Sequence, residues 1–306
     1  MAGIQESRRK PSGIRNTSRL ADAGIIAAMS LAGLLCLLPI VNVLALSFSS
    51  SAAAAAGRVK LWPVDFSLES YKYALTKPQF LRSFAISVKR VGLGLAVNMA
   101  CTVLAAYPLS KSSRELTGRG VYAWFFFFTM IFSGGLIPWY TVVKQTGIMN
   151  TLWGVILPGA VPAYHVIILL NFFRQLPREL GEAAVMDGAG EFYMMVRLYL
   201  PLSVPSLATL ALFTAVGHWN SWFDGLVLMT SPDNYPLQTY LRNLIVVKNL
   251  QTMQTATQAE LREMARISDR TLRASQIFIA ALPVLALYPY LQKYFMKGLV
   301  MGSVKG

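Results

Sequence analysis

Apolar residues in this chain gather into long runs separated by short polar breaks. Runs at about 21–46, 84–109, 121–143, 152–173, 202–229 and 275–295 carry few charges. Each has the length of about 20 residues that a helix needs to cross the hydrocarbon core of a bilayer. The pattern predicts an all-α membrane protein with six transmembrane helices over 21–306, preceded by a polar tail at 1–20. That tail holds Arg8, Arg9, Lys10, Arg15 and Arg19, a charge excess that favours the cytoplasmic side. The first run is longer than the 7–15 residues of a signal-peptide core, so it reads as a retained span, with a kink expected at Pro39.

The breaks within the runs are informative too. Gly134-Gly135-Leu136-Ile137-Pro138 interrupts the third span, and Pro158 and Pro162 make the start of the fourth irregular. Non-helical backbone at membrane depth is tolerated where it is buried in protein or lines water. Lys89 and Arg90 fall in the first turns of the second span, where they are expected to snorkel outward, with a polar cavity as the other reading. Residues 47–81 form a first outer segment with a short interfacial helix at 68–73. Residues 230–273 form a second, with an amphipathic stretch at 254–273. Lys111, Arg114 and Arg119 make the loop after the second span basic, and Lys297 and Lys305 lie beyond the sixth. With six spans, these short basic segments predict both termini inside.

Composition sharpens this picture. The 306 residues are 55% hydrophobic and 14% charged, against about 25% charged in soluble domains. The net charge of +14 does not indicate nucleic acid, because the basic residues flank apolar runs and form no single stripe. Cys36 and Cys101 each lie within an apolar run, where cysteine serves as a small packing residue. No G-x-x-x-x-G-K-[ST] loop is present, so the chain holds no nucleotide in that way. The two histidines, His165 and His218, have no metal-ligand spacing. No nucleophile motif stands out, and no catalysis within the chain is expected.

The one long amphipathic break lies at 174–201, with the sequence RELGEAAVMDGAGEFYMMVRLYLP over 178–201. Pro177 suits a helix start, and Glu179 and Glu182 suit its positive N-terminal end. Gly188, within Asp187-Gly188-Ala189-Gly190, suits a left-handed cap. A second short helix is expected from 191 to 200, ending at Pro201. These features predict a helix–turn–helix elbow at the membrane surface.

Glu182-Ala183-Ala184, then Gly188, then Leu198-Tyr199-Leu200-Pro201 resembles the EAA loop of importer permeases of the ATP-binding cassette (ABC) superfamily. Asp187-Gly188-Ala189 and Leu200-Pro201-Leu202 are similar to the carbohydrate, maltose-type branch. Ala106-Tyr107-Pro108-Leu109-Ser110 also resembles that branch, with Pro108 where Ala is common. The resemblance implies a type I ABC importer permease fold in a bacterial plasma membrane, with no cofactor of its own. The elbow would be a coupling helix docked on a cytoplasmic ATPase, through Glu182, Ala183, Ala184, Asp187, Gly188, Leu200 and Pro201. The partners implied are a second homologous permease, two ATPase subunits that bind ATP and Mg, an extracytoplasmic solute-binding protein and membrane lipid.

Gly217-His218-Trp219-Asn220-Ser221-Trp222-Phe223-Asp224 places aromatic, amide and ionisable groups within the fifth span. Such residues at membrane depth face a cavity or a partner, and aromatic faces beside amides suit sugars. The candidate pathway residues are His218, Trp219, Asn220, Trp222 and Asp224, with an interfacial aromatic belt as the other reading. GGLIPWY, ILPGA and GHWNSWFD resemble a subgroup that imports complex oligosaccharides, some containing uronic acids. Arg242, Arg262, Arg266 and Arg270 would suit an acidic sugar, a docked binding protein or a solvated face. Two alternatives stay open: a permease for an amino acid or phosphonate, and a membrane scaffold or sensor that transports nothing.

Overall fold

The computed structural model describes residues 19–246 and 269–303. The tail at 1–18, Lys305 and most of the expected amphipathic stretch, including Arg262 and Arg266, lie outside the described residues. The first helix, α1 (Arg19–Ser47), runs through Pro39 without ending there. Ile25, Ile26, Met29, Leu34 and Leu35 are all more than half exposed, as lipid-facing positions are. The outer segment that follows holds two short helices, α2 (Ser51–Ala55) and α3 (Glu69–Thr76). A single β-bridge between Ser49 and Phe66 ties it together.

The central element is α4 (Pro78–Ser110), which packs against the helices Ala163–Gln175 and Val204–Asn220. Pro78 occupies its first turn, where a missing N–H costs nothing. Its buried face carries Ser83, Ser87, Arg90, Gly94, Asn98, Thr102 and Ala106, a stripe with spacings of three or four residues. Leu81, Val88, Leu93 and Leu104 are turned outward. This inverts the soluble pattern, because lipid is as apolar as leucine and helices associate in it through small and polar residues.

The third expected span is two helices, α5 (Arg119–Ile131) and α6 (Leu136–Gln145), whose axes lie 116° apart across the Gly134–Gly135 break. The aromatic run of α5 faces outward, with Trp124, Phe125 and Phe128 exposed. Two 3-10 turns (Leu152–Val155 and Leu157–Gly159) precede α7 (Ala163–Gln175), bent by 49° from it. Val166, Leu169, Leu170 and Phe173 of α7 form a core with Val103, Ala106 and Tyr107 of α4.

The elbow follows as α8 (Arg178–Met186) and α9 (Glu191–Met194). The expected stop at Pro201 is corrected here. From α9 the chain widens into a π turn (Met195–Tyr199) and continues as α10 (Leu200–Leu202), bending only at Ser203. A proline inside a helix collides with the carbonyl four residues back, and a wide turn just before it relieves that crowding.

Next come α11 (Val204–Asn220), set 84° from the stretch Glu191–Leu202, and α12 (Phe223–Leu228) after a break at Ser221–Trp222. The fifth apolar run is therefore not one rod. The described chain ends with α13 (Leu237–Val246) and α14 (Asp269–Ser303), which continues through Pro283 and Pro289 and packs on α1 and α11. Among the described residues, the apolar part of α1 and all of α4 are long enough to cross a membrane as single helices, and three bent pairs add to them.

Candidate functional site

The two adjacent cations of α4 part company. Lys89 is exposed, whereas Arg90 is 2% exposed and points inward, which corrects the snorkelling expectation for Arg90 in favour of the cavity-facing reading. Arg90 grips the carboxylate of Asp224 with both terminal nitrogens, its Nη1 donating to Oδ1 at 3.2 Å. The same guanidinium donates to the carbonyls of Ser221 at 3.4 Å and Val155 at 3.3 Å. Both carbonyls lie at chain breaks, where no helical N–H is available, and in lipid such groups need internal partners. Asp224 also accepts from Ser221 Oγ at 2.7 Å and from the Gly225 N–H at 2.8 Å. One charged pair thus ties together α4, the 3-10 turn after α6, and the α11–α12 break.

Around this tie lie two adjoining chambers. The smaller, about 460 Å³, is lined by Arg90, Asn98, Trp139, His165, Thr214, His218 and Asp224 among others. The larger, about 950 Å³, opens between the Gly134–Gly135 break and Phe223. They share Trp139, Pro158, Ser221 and Asp224. Three backbone breaks, near residues 134, 158 and 221, therefore border this pair of chambers, whereas the bend at Ser203 lies outside them. His218 packs so closely on α4 that a Cβ at Gly94 would sit 2.4 Å from its Nε2. Thr214 Oγ1 and His165 Nδ1 lie 3.4 Å apart across the smaller chamber.

The five candidate pathway residues do not share a face. His218 and Asp224 line the smaller chamber. Trp219 is 6% exposed, stacks edge-on with Phe84 and donates its indole N–H to the Ala280 carbonyl at 3.0 Å. It seals α11 against α14. Asn220 and Trp222 line a separate groove of about 540 Å³ with Gln238 and Arg242, whose guanidinium lies 4.3 Å from the centre of the Trp222 ring. Successive residues on a helix point about 100° apart, so neighbours in sequence are dealt to different sides. Sequence reasoning missed Asn98, Trp139 and Thr214 as lining residues. The stripe along α4 was the available signal for Asn98.

At the opposite end of α4, the elbow presents its own geometry. Gly188 takes φ +79°. Its N–H bonds the Val185 carbonyl at 2.9 Å, and the Ala189 N–H bonds the Ala184 carbonyl at 2.9 Å, closing α8 with a Schellman cap. Glu182, Ala183 and Asp187 are exposed, and so are Val185, Met186, Phe192 and Tyr193, with Met186 at 87%. Pro201 is exposed, while Leu200 packs on the α4–α7 core.

Glu191 anchors this surface to the bundle. It accepts from Tyr107 Oη at 2.6 Å and pairs with Lys111 Nζ at 2.9 Å. The Lys111 ammonium also lies over the Tyr107 and Tyr199 rings. Partial burial opposes charge on both groups. Even so, the bonds from Tyr107 and Lys111 hold Glu191 below the usual carboxylate range, and Glu191 and Tyr107 hold Lys111 above its usual value. Arg119 and Arg174 both donate to the Leu109 carbonyl at the end of α4. Among the described residues, no group of three or more His, Cys, Asp or Glu could hold a metal ion.

Comparison with known proteins agrees with this architecture. The chain is 41% identical to Protein LplC of Bacillus subtilis, over 94% of this chain and 96% of that one. It is 36% identical to the polygalacturonan/rhamnogalacturonan transport system permease protein YtcP of the same organism, over 94% and 99%. Its fold matches a chain in the crystal structure of a bacterial ABC transporter that imports the acidic polysaccharide alginate, with TM-score 0.84, 30% identity, and coverage of 92% and 98%. Residues 102–301 match the family described as binding-protein-dependent transport system inner membrane component, and the chain belongs to that family of membrane permeases.

Proposed function

We propose that this chain forms half of the translocation pathway of an ATP-driven importer for oligosaccharides, including ones that carry uronic acids. The observation that carries the reading is the convergence of three backbone breaks on two adjoining chambers, the smaller of which holds Arg90, Asn98, His165, His218 and Asp224. Broken spans with a site between them are how many transporters meet a substrate at membrane depth. The acidic sugars named for YtcP and for the alginate transporter support the substrate class. His218 and Asp224 belong to this pathway. Asn220 and Trp222 belong to the groove beside it, and Trp219 acts as a packing residue.

In this reading the chain crosses the membrane six times with both termini inside, and the elbow at 174–201 faces the cytoplasm. The exposed apolar residues of α8 and α9, together with Glu182, Ala183 and Asp187, dock on a partner ATPase that binds ATP and Mg. A second homologous permease completes the pathway, and an extracytoplasmic binding protein delivers the sugar. ATP-driven closure of the ATPases moves the elbow, and Glu191 passes that movement to α4.

The test is ATP hydrolysis by the complex purified with its genomic neighbours, with and without binding protein loaded with neutral and acidic oligosaccharides. Stimulation by a loaded acidic oligosaccharide is expected. A co-purifying ATPase that responds to amino acids or phosphonates but to no sugar would overturn the substrate class. Purification without any ATPase would favour a scaffold.

A further inference from the structure

Asn98 is 6% exposed and donates its Nδ2 to the Gly159 carbonyl at 3.1 Å, which leaves its Oδ1 free. Among the described residues, Arg90 Nε is likewise a buried polar atom with no hydrogen-bond partner. Both residues line the smaller chamber, and unpaired polar atoms at such depth are costly. One is an acceptor and the other a donor, eight residues apart along α4, and each suits a hydroxyl of its own. Trp139 borders both chambers and supplies an aromatic ring beside them. The charges here cancel. Among the described residues, Arg90 and Asp224 are the only Lys, Arg, Asp or Glu lining either chamber, and they are bonded to each other. A carboxylate entering this space would meet no unpaired cation.

Building on the importer reading above, we propose that Trp139 and Asn98 form a sugar-ring subsite that recognises hydroxyls and C–H faces and does not read carboxylates. Trp139 stacks on the apolar face of a pyranose, and Asn98 Oδ1 accepts from a ring hydroxyl. Selection for acidic sugars then falls to a step before the chamber. The site serves each ring of an oligosaccharide in turn, because hydroxyls and C–H faces recur along the chain whether or not a ring is acidic.

The test is uptake into vesicles by the complete complex, using trigalacturonate and its carboxyl-reduced trisaccharide, each presented on saturated binding protein. Trp139→Ala is expected to lower uptake of both by the same factor, about tenfold, while Trp139→Phe keeps most of it. A loss confined to trigalacturonate would overturn the claim that carboxylates go unread. Unchanged uptake by Trp139→Ala would overturn the subsite. So would equal losses in the Ala and Phe variants accompanied by a lower melting temperature. A wild-type complex that imports neither trisaccharide would sink the carbohydrate reading itself, an outcome distinct from loss of the subsite alone.

Discussion

At Arg90 and at Lys111 the chain uses the same device, an ion pair that ties α4 to a segment far along the sequence, but the surroundings are opposite. Arg90 and Asp224 have side chains only 2% and 18% exposed, and the guanidinium also holds two backbone carbonyls. Lys111 is 12% exposed but its partner Glu191 is 64% exposed. The first pair sits largely buried in the chamber wall, where loss of one partner leaves the other charge uncompensated. The second sits at a wet surface, where water and salt take up the slack. One therefore holds the bundle together, and the other is a joint that can yield.

The sharpest way to break the contrast is to remove one partner from each pair. Arg90→Met should destabilise the purified protein by about 3–5 kcal/mol, the typical cost of stranding a buried charge. Adding Asp224→Leu should recover much of that loss, as read by thermal unfolding in detergent. If the single and double variants melted together, the charge pair would not be the source of stability.

A change on the elbow itself should act on transport more than on folding. Gly188→Val forces a β-branched residue to φ +79°, a strain on the order of 1–3 kcal/mol, and should reorient the exposed face of α8. Membrane insertion should survive while sugar uptake falls about tenfold or more. Normal uptake would remove the elbow from the coupling route.

The smallest effect is expected at the wet joint. Glu191→Gln should weaken sugar-stimulated ATP hydrolysis only about twofold to fivefold, and more at low salt than at high salt. Its pH dependence follows from the two shifts. Glu191, held below its ordinary range, contributes above the unfolded carboxylate value and loses that contribution as pH falls through its depressed folded value. Lys111, held above its ordinary value, contributes below about pH 10 and loses that contribution as pH rises through its elevated folded value. Between these limits the joint should be flat with pH, and a marked change in coupling from pH 6 to 8 would point to another group.

Much of this was legible in the sequence. The Gly134–Gly135 break, the irregular turns at Pro158 and Pro162 and the left-handed cap at Gly188 all lie where local backbone chemistry placed them. Such features depend on one residue and its neighbours. The chamber was harder to foresee, because its lining is drawn from five separate helices and no single stretch carries it. GHWNSWFD was read as one site, but helical rotation sends His218, Trp219 and Asn220 to three different surroundings. Arg90 misled for a related reason. Next to Lys89 it looked like part of a snorkelling pair, and its partner lies 134 residues away. The spacing of Ser83, Ser87, Arg90, Gly94 and Asn98 was the visible clue to its direction.

That separation also bears on how the protein is made. Arg90 enters the bilayer with α4, but Asp224 does not yet exist. At translation rates of about 5–20 residues per second, the carboxylate emerges roughly ten seconds later. Through that interval a membrane helix carries an uncompensated guanidinium, at a cost of about 2.5–3.5 kcal/mol near the bilayer centre. A polar setting for the nascent α4, until the α11–α12 break arrives, would relieve that cost. Among the described residues, the charge most deeply buried in the fold is thus the one whose partner is made long after it.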